Sequence, residues 1–218
     1  MSSCRDHSHH ADHDHGHGHG HDHNHDDDVE AALKESLLSK IDLENVRCLN
    51  EAVPGSVKHV FKPWELRMDL EKFVESDSDE QLIIFVPFTG MVKLKSITLR
   101  GGVEGASPSL LKVFINREDI DFDSAESTTP TQEWELVDHP HDVVEYSTRL
   151  TKFNSVRNLT LYFPSNFGSD TSILSFIAFK GEWSEVKQDP IITIYEVQPN
   201  VKDHKVPGIG ESSHQQIG

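Results

Sequence analysis

The sequence predicts an all-β protein built as an antiparallel sandwich, and three observations support this fold class. From residue 81 onward the chain consists of short segments rich in Val, Ile, Thr and Phe, separated by Gly, Pro, Ser or Asp. Several segments alternate in character, most clearly where Leu159, Leu161 and Phe163 fall on one side of a predicted strand. Almost no helical pattern lies between the segments, whereas a parallel sheet would need crossover helices there.

The two ends of the chain are predicted to lie outside the sandwich. Residues 1–28 alternate His with Asp or Gly and contain almost nothing to bury. Such a segment cannot offset the entropy lost on ordering, so we expect a disordered tail. Residues 205–218 are expected to form a second, flexible tail.

A short amphipathic helix is predicted over residues 29–41. Val29, Leu33, Leu37 and Ile41 recur at helical spacing, and three Asp residues precede the first turn. Acidic groups near a helix N-terminus interact favourably with its dipole, which supports a helix that starts here.

Eight strands are predicted after this helix. Each is short and β-branched or aromatic in composition, and each is bounded by turn residues. They cover Gln81–Pro87, Met91–Arg100, Leu110–Asn116, Gln132–Val137, Val143–Leu150, Val156–Phe163, Ile173–Lys180 and Ile191–Val197.

Composition and charge exclude several classes of function. The net charge of −17 disfavours nucleic acid and anionic membranes as partners, since both require clustered Lys and Arg. No apolar run reaches the roughly 20 residues of a membrane-spanning helix, and the N-terminus lacks the apolar core of a secretory signal. With two cysteines only, a disulfide framework is not expected. We therefore expect a monomer in the cytoplasm, with the nucleus as a second compartment.

A set of motifs in a fixed order resembles one known family. The motifs are Cys48-Leu49-Asn50-Glu51, Phe61-Lys62-Pro63-Trp64, Lys72–Asp77, Val86–Gly90, Val92–Lys95, Phe153–Val156, Asn166–Thr171 and Lys180-Gly181-Glu182-Trp183. Together they resemble the PITH domain, a module attached to a thioredoxin-like protein that associates with the proteasome. The resemblance covers residues 42–204 and implies a jelly-roll sandwich similar to galactose-binding-like domains.

The resemblance also implies a function. It points to a stand-alone, non-enzymatic protein-binding module that associates with the proteasome regulatory particle. The sequence contains no phosphate-binding Gly-Lys-Ser loop, no Gly-x-Ser-x-Gly elbow and no His-Glu-x-x-His helix, so no enzyme class is indicated.

Two groups of residues are candidates for partner contact. Phe61 and Trp64 flank Lys62 and Pro63 in a predicted loop, where an aromatic side chain either plugs the end of the sandwich or anchors a partner. Asp77, Asp79 and Glu80 lie in an exposed acidic loop, which predicts either charged contacts or a solvated turn.

The N-terminal histidines suggest a different function. Neutral imidazole is a good ligand for Zn and Ni, and interleaved Asp adds oxygen donors, so weak metal binding is predicted. The candidate ligands are His7, His9, His10, His13, His15, His17, His19, His21, His23 and His25. A tail without any metal role is the alternative, and the fold itself is expected to need no cofactor.

Two functional alternatives therefore stay open beside the protein-binding module. In the first, the His-rich tail is the functional part of a metal-binding or metal-buffering protein. In the second, the sandwich binds a small ligand as a lectin does, which only the architecture suggests. A further alternative concerns Asp119, Asp121 and Asp123, whose spacing is typical either of a calcium-binding loop or of an acidic connection between strands.

Overall fold

The computed structural model describes residues 34–139 and 141–185, and in this part of the chain it confirms the antiparallel sandwich. The strands are β1 (Arg47–Leu49), β2 (Val74–Glu75), β3 (Leu82–Gly101), β4 (Leu110–Ile115), β5 (Gln132–Glu135), β6 (Val144–Ser147), β7 (Val156–Phe163) and β8 (Ile173–Ser184). The helical elements are α1 (Phe122–Ser127) and the 3-10 turns Leu38–Lys40, Leu43–Asn45, Ser56–Val60 and Trp64–Leu66.

Strand β3 belongs to both layers of the sandwich. Its first half, from Leu82 to Pro87, pairs with β7 on one side and β1 on the other. Its second half, from Met91 to Gly101, pairs with β8 and β6. The layers are therefore β1-β3-β7-β4-β5 and β6-β3-β8-β2, joined through one continuous strand.

The sequence predicted two strands where the structure has this single one. Pro87 cannot donate a ladder hydrogen bond and therefore predicts a break. In the structure Pro87 still faces Asn158 of β7, its carbonyl accepts the Asp42 amide at 2.9 Å, and the register shifts between Pro87 and Val92. The missing donor is thus accommodated at an irregularity, and β3 crosses from one layer to the other without ending.

The main core lies between the layers, and a second cluster lies outside the first layer. Leu159, Leu161 and Phe163 point into the main core, as the alternation predicted. Their neighbour Tyr162 packs with α1 in the second cluster, and its hydroxyl donates to Gln81 at 2.6 Å. The outer face of β7 is consequently buried as well.

Helix α1 uses the aspartates that suggested a calcium loop. Asp121 is the N-cap: its carboxylate accepts the Ser124 amide at 2.9 Å, while the Ser124 hydroxyl accepts the Asp121 amide at 2.8 Å. The Ser124 hydroxyl also donates to the Asp121 carboxylate at 2.6 Å, and this bond, together with the one from the Ser124 amide, lowers the pKa of Asp121. Asp119 pairs with Arg117 at 2.7 Å. The acidic spacing therefore belongs to a capped connection between β4 and β5.

The segment before β1 departs from the predicted helix over 29–41 in its second part. Residues 29–33 lie outside the described part and Lys34 is helical, whereas after residue 34 the regular element is the 3-10 turn Leu38–Lys40. The Leu37 amide donates to Phe179 at 3.0 Å and the Gly181 amide donates to Glu35 at 2.9 Å. The open edge of β8 competes successfully with helix formation, because pairing there still buries Leu37 and Ile41, which are 2% and 7% exposed.

Other predictions fall outside the described residues or were missed. The tails 1–28 and 205–218 and the strand Ile191–Val197 are not among the described residues. Strands β1 and β2 were not predicted, since two or three residues carry no measurable period. Among the described residues, no helix has both the length and the apolar character needed to cross a membrane.

Candidate partner-binding site

The segment from Phe61 to Phe73, here called the docking loop, is closed by a buried lysine. Lys62 is 7% exposed, and its ammonium donates to the carbonyls of Asp69 at 2.8 Å and Lys72 at 2.7 Å. The same nitrogen lies 3.4 Å from an Asp69 carboxylate oxygen. Because a buried ammonium needs acceptors for all its protons, this set of bonds holds the base of the loop together.

Local hydrogen bonds then fix the interior of the docking loop. The Leu66 amide donates to Pro63 at 3.0 Å, Arg67 to Trp64 at 3.1 Å, and Asp69 to Leu66 at 3.0 Å. The Asp69 carboxylate accepts the amide of residue 71 at 2.8 Å. That bond, with the Lys62 ammonium, holds the pKa of Asp69 below its ordinary value, so Asp69 stays ionised as the loop requires.

The docking loop presents four large apolar side chains to solvent. Leu66, Met68, Leu70 and Phe73 are 50%, 43%, 48% and 38% exposed. We call these four residues the apolar ridge. Isolated exposed apolar residues are normal on a protein surface, but a group within one fixed loop is typical of an interaction site.

Trp64 stands between the apolar ridge and a neighbouring groove. It is half-buried, and its ring meets Phe176 edge-on with centroids 6.1 Å apart. The Arg67 guanidinium lies 4.6 Å from the ring centroid, and the Lys180 ammonium lies 5.9 Å from it. Trp64 therefore occupies a surface position with one edge fixed by packing.

Phe61 occupies a different environment from Trp64, which corrects the prediction that both could contact a partner. Phe61 is 6% exposed and stacks on Phe179 of β8, with centroids 6.1 Å apart and ring planes at 28°. Phe61 fills the core and is too buried to contact a partner. Trp64 is thus the aromatic candidate of this pair that a partner can reach.

A polar groove of about 1030 Å³ opens on the outer face of the second layer, beside Trp64. The Lys95 ammonium bridges Glu35 at 2.7 Å and Glu182 at 3.1 Å, and Lys180 pairs with Glu145 at 2.6 Å. The hydrogen bonds that the Lys95 ammonium donates to Glu35 and Glu182 raise the pKa of Lys95. The charges of the groove are therefore paired with one another, and each such solvent-exposed pair contributes little alone.

The tryptophans of the groove are covered by cations. The Lys40 ammonium lies 4.2 Å from the ring centroid of Trp183, in addition to the cations near Trp64. The lectin-like alternative stays a prediction.

The acidic loop follows β2 and is tied to Asn50, which has a left-handed φ of 67°. The Asn50 side-chain amide donates to the Asp79 carboxylate at 2.8 Å, and its oxygen accepts the Ser78 amide at 3.1 Å. Asp79 therefore has a structural role. Asp77 is exposed and Glu80 is half-exposed, so both remain candidates for charged contact.

The motif that starts at Cys48 also has a structural explanation. Glu51 accepts the Gly55 amide at 2.7 Å and the Val57 amide at 3.1 Å, which caps the turn at Ser56–Val60. Burial, reinforced by the charge of Glu51, raises the pKa of the Cys48 thiol far above its ordinary value. The thiol stays protonated and is a poor nucleophile.

Two glycines of the quoted motifs permit close packing of β3 against β8. A Cβ atom on Gly90 would lie 2.6 Å from the Ser184 carbonyl oxygen and 2.8 Å from Cε2 of Trp183. A Cβ on Gly181 would collide with the carbonyl of Lys93. These positions require glycine because backbone and indole approach too closely for any side chain.

Sequence reasoning missed Lys62 and Lys180. No sequence pattern marks a lysine as buried. The position of Lys62 between Phe61 and Pro63, in a segment predicted to plug the sandwich, was the one indication of its burial.

The ten N-terminal histidines lie outside the described residues. Within residues 34–139 and 141–185, no group of three or more His, Cys, Asp and Glu side chains is placed to hold a metal ion.

Comparison with solved structures shows the fold. The CBM32-1 and CBM32-2 domains of Clostridium perfringens ZmpB in complex with GalNAc match with a TM-score of 0.53 at 14% identity, over 72% of this chain and 38% of theirs. At this identity the likeness concerns architecture only. It confirms the predicted jelly-roll sandwich of the galactose-binding-like type.

Comparison with protein families and curated relatives shows the family. The family model of the PITH domain matches residues 27–199 of this chain. PITH domain-containing protein 1 of Dictyostelium discoideum is 46% identical over 85% of this chain and 92% of its own length. The human protein of the same name is 39% identical over 85% and 88%. The chain therefore belongs to the PITH domain family.

Proposed function

We propose that the protein is a non-enzymatic protein-binding module and that its partner is the proteasome regulatory particle. The observation that carries the binding role is the apolar ridge, held by Lys62 in a fixed loop. The identity of the partner is supported by the family resemblance, since the PITH domain is a module of a proteasome-associated protein. The proposal places the protein in the cytoplasm and nucleus.

The surroundings of the ridge suit a protein interface. Interfaces typically combine an apolar centre with a polar, solvent-accessible rim. Leu66 and Leu70 would supply the centre, Trp64 an aromatic anchor beside it, and the charge pairs of the groove one side of the rim. Asp77 and Glu80, which follow the docking loop through β2, would add negative charge that speeds encounter with a basic surface.

A pull-down from cell lysate tests the proposal. The full-length protein is compared with the variant Leu66→Asp/Leu70→Asp and with Val137→Asp, which places one such negative charge at a position that is 60% exposed in the loop before β6. Regulatory-particle subunits are identified by mass spectrometry. The wild type and Val137→Asp should retain them equally, and the double variant should lose them.

Controls separate binding from folding. All three proteins should show the same circular dichroism spectrum and melting temperature, because the substituted side chains are exposed. A protein lacking residues 1–28 should bind like the wild type, whereas a metal-buffering protein would lose its function with the tail. If the wild type retains no regulatory-particle subunit at low salt, the proposed partner is wrong.

A further inference from the structure

Lys62 is a buried cation whose ammonium bonds to two backbone carbonyls of the docking loop. We infer that it is the positioning residue of the partner-binding site, and that it holds the docking loop in its binding shape before a partner arrives. This inference rests on the proposed function, because it concerns the same apolar ridge. The partner is the one named in the proposed function, the proteasome regulatory particle.

The geometry shows how one side chain can organise the loop. The Lys62 ammonium binds carbonyls that lie seven and ten positions further along the chain, at Asp69 and Lys72. Leu66, Met68 and Leu70 lie between the anchor points, and Phe73 follows directly after the second. Three of the four ridge residues are thus enclosed by the bonds of Lys62.

The ends of the docking loop are held on β8, by the packing of Phe61 on Phe179 and by the pairing of β2, but between these ends the other hydrogen bonds are local. Its regular element is the 3-10 turn Trp64–Leu66, and its remaining hydrogen bonds span two or three residues. Bonds of such short span set the local path of the chain but do not connect the start of the loop to its end. The Lys62 ammonium makes that connection, and its three protons have three acceptors within reach.

A preformed loop changes how the partner binds. A flexible loop must lose conformational entropy on binding, and only molecules in the competent shape can bind productively. If loss of the Lys62 bonds lowers the competent fraction to about one tenth, the association rate falls about tenfold. Loss of a ridge side chain removes contact area in the complex, which chiefly raises the dissociation rate.

The experiment measures both rates with immobilised, purified regulatory particle and full-length protein in solution. Lys62→Met removes the ammonium at similar length. Lys152→Met is the matched control, since Lys152 is an exposed lysine outside the docking loop whose ammonium also donates to a carbonyl, that of Thr131, at 2.8 Å. Leu70→Ala reports the loss of a ridge contact. Hydrogen exchange of residues 63–72 in the free proteins reports the shape of the loop.

The expected pattern distinguishes the variants. Lys62→Met should associate about tenfold more slowly, with a nearly unchanged dissociation rate and faster hydrogen exchange in residues 63–72. Lys152→Met should match the wild type, and Leu70→Ala should dissociate faster with normal hydrogen exchange. If Lys62→Met does not fold, Lys62→Gln, which keeps a hydrogen-bond donor without the charge, replaces it.

The outcomes separate this inference from the proposed function. A wild type that does not bind the particle overturns the proposed function, and the inference with it. A wild type that binds, together with a folded Lys62 variant of unchanged association rate and unchanged hydrogen exchange, overturns the inference alone.

Discussion

The substitution Gly90→Ala tests how closely β3 packs against β8. In Gly90→Ala the new Cβ would lie 2.6 Å from the Ser184 carbonyl oxygen and 2.8 Å from Cε2 of Trp183. Overpacking of this kind typically costs about 1–3 kcal/mol, and the upper end applies because one of the obstacles is backbone. For a protein of this size, about 3 kcal/mol lowers the melting temperature by roughly 6–12 °C.

The matched control is Gly55→Ala. Gly55 has a left-handed φ of 82°, and a Cβ there would meet nothing within 4 Å. The substitution then costs backbone strain alone, about 1–2 kcal/mol of folding free energy. For a protein of this size, that lowers the melting temperature by roughly 2–8 °C. Thermal denaturation followed by circular dichroism should rank wild type above Gly55→Ala and Gly55→Ala above Gly90→Ala. A melting temperature of Gly90→Ala equal to that of the wild type would refute the packing described here.

Three further predictions concern the N-terminal segment, the thiol and the tail. A protein that starts at residue 42 loses the buried side chains of Leu37 and Ile41, each worth about 2–5 kcal/mol, and should melt well below one that lacks only residues 1–28. The Cys48 thiol, whose pKa is raised, should resist alkylation at pH 8 in the folded protein and react once the protein is unfolded by denaturant. We also propose that the His-rich tail binds Zn or Ni weakly. Calorimetry should show binding at pH 7.5 and none near pH 5, because imidazoles with a pKa of about 6.5 must be neutral to coordinate metal. No heat at pH 7.5 would exclude the metal role.

The fold class could be predicted because period-two alternation is a local property of the chain. Leu159, Leu161 and Phe163 enter the core as their spacing requires. The continuity of β3 could not be predicted in the same way. Whether Pro87 ends a strand depends on what lies opposite it, and here Asn158 and the Asp42 amide accommodate it.

The candidate site was only partly predictable, for a physical reason. Phe61 and Trp64 have the same residue class and nearly the same sequence context, yet one is in the core and the other at the surface. Phe61 stacks on Phe179 of β8, whereas Trp64 meets Phe176 at one edge only, and the intervening Lys62 bonds to Asp69 and Lys72 further along the chain. Such contacts span several residues without periodicity, so they leave no pattern in the sequence.

The central claim is that the apolar ridge binds the proteasome regulatory particle, and a direct affinity measurement tests it best. Purified regulatory particle is titrated with the wild type, Leu66→Asp/Leu70→Asp and Val137→Asp at low salt. Loss of an interface hot spot costs about 2 kcal/mol or more, so the double variant should lose about 4 kcal/mol and bind roughly 1000-fold more weakly, while Val137→Asp binds like the wild type. Equal affinity of all three proteins would contradict the claim.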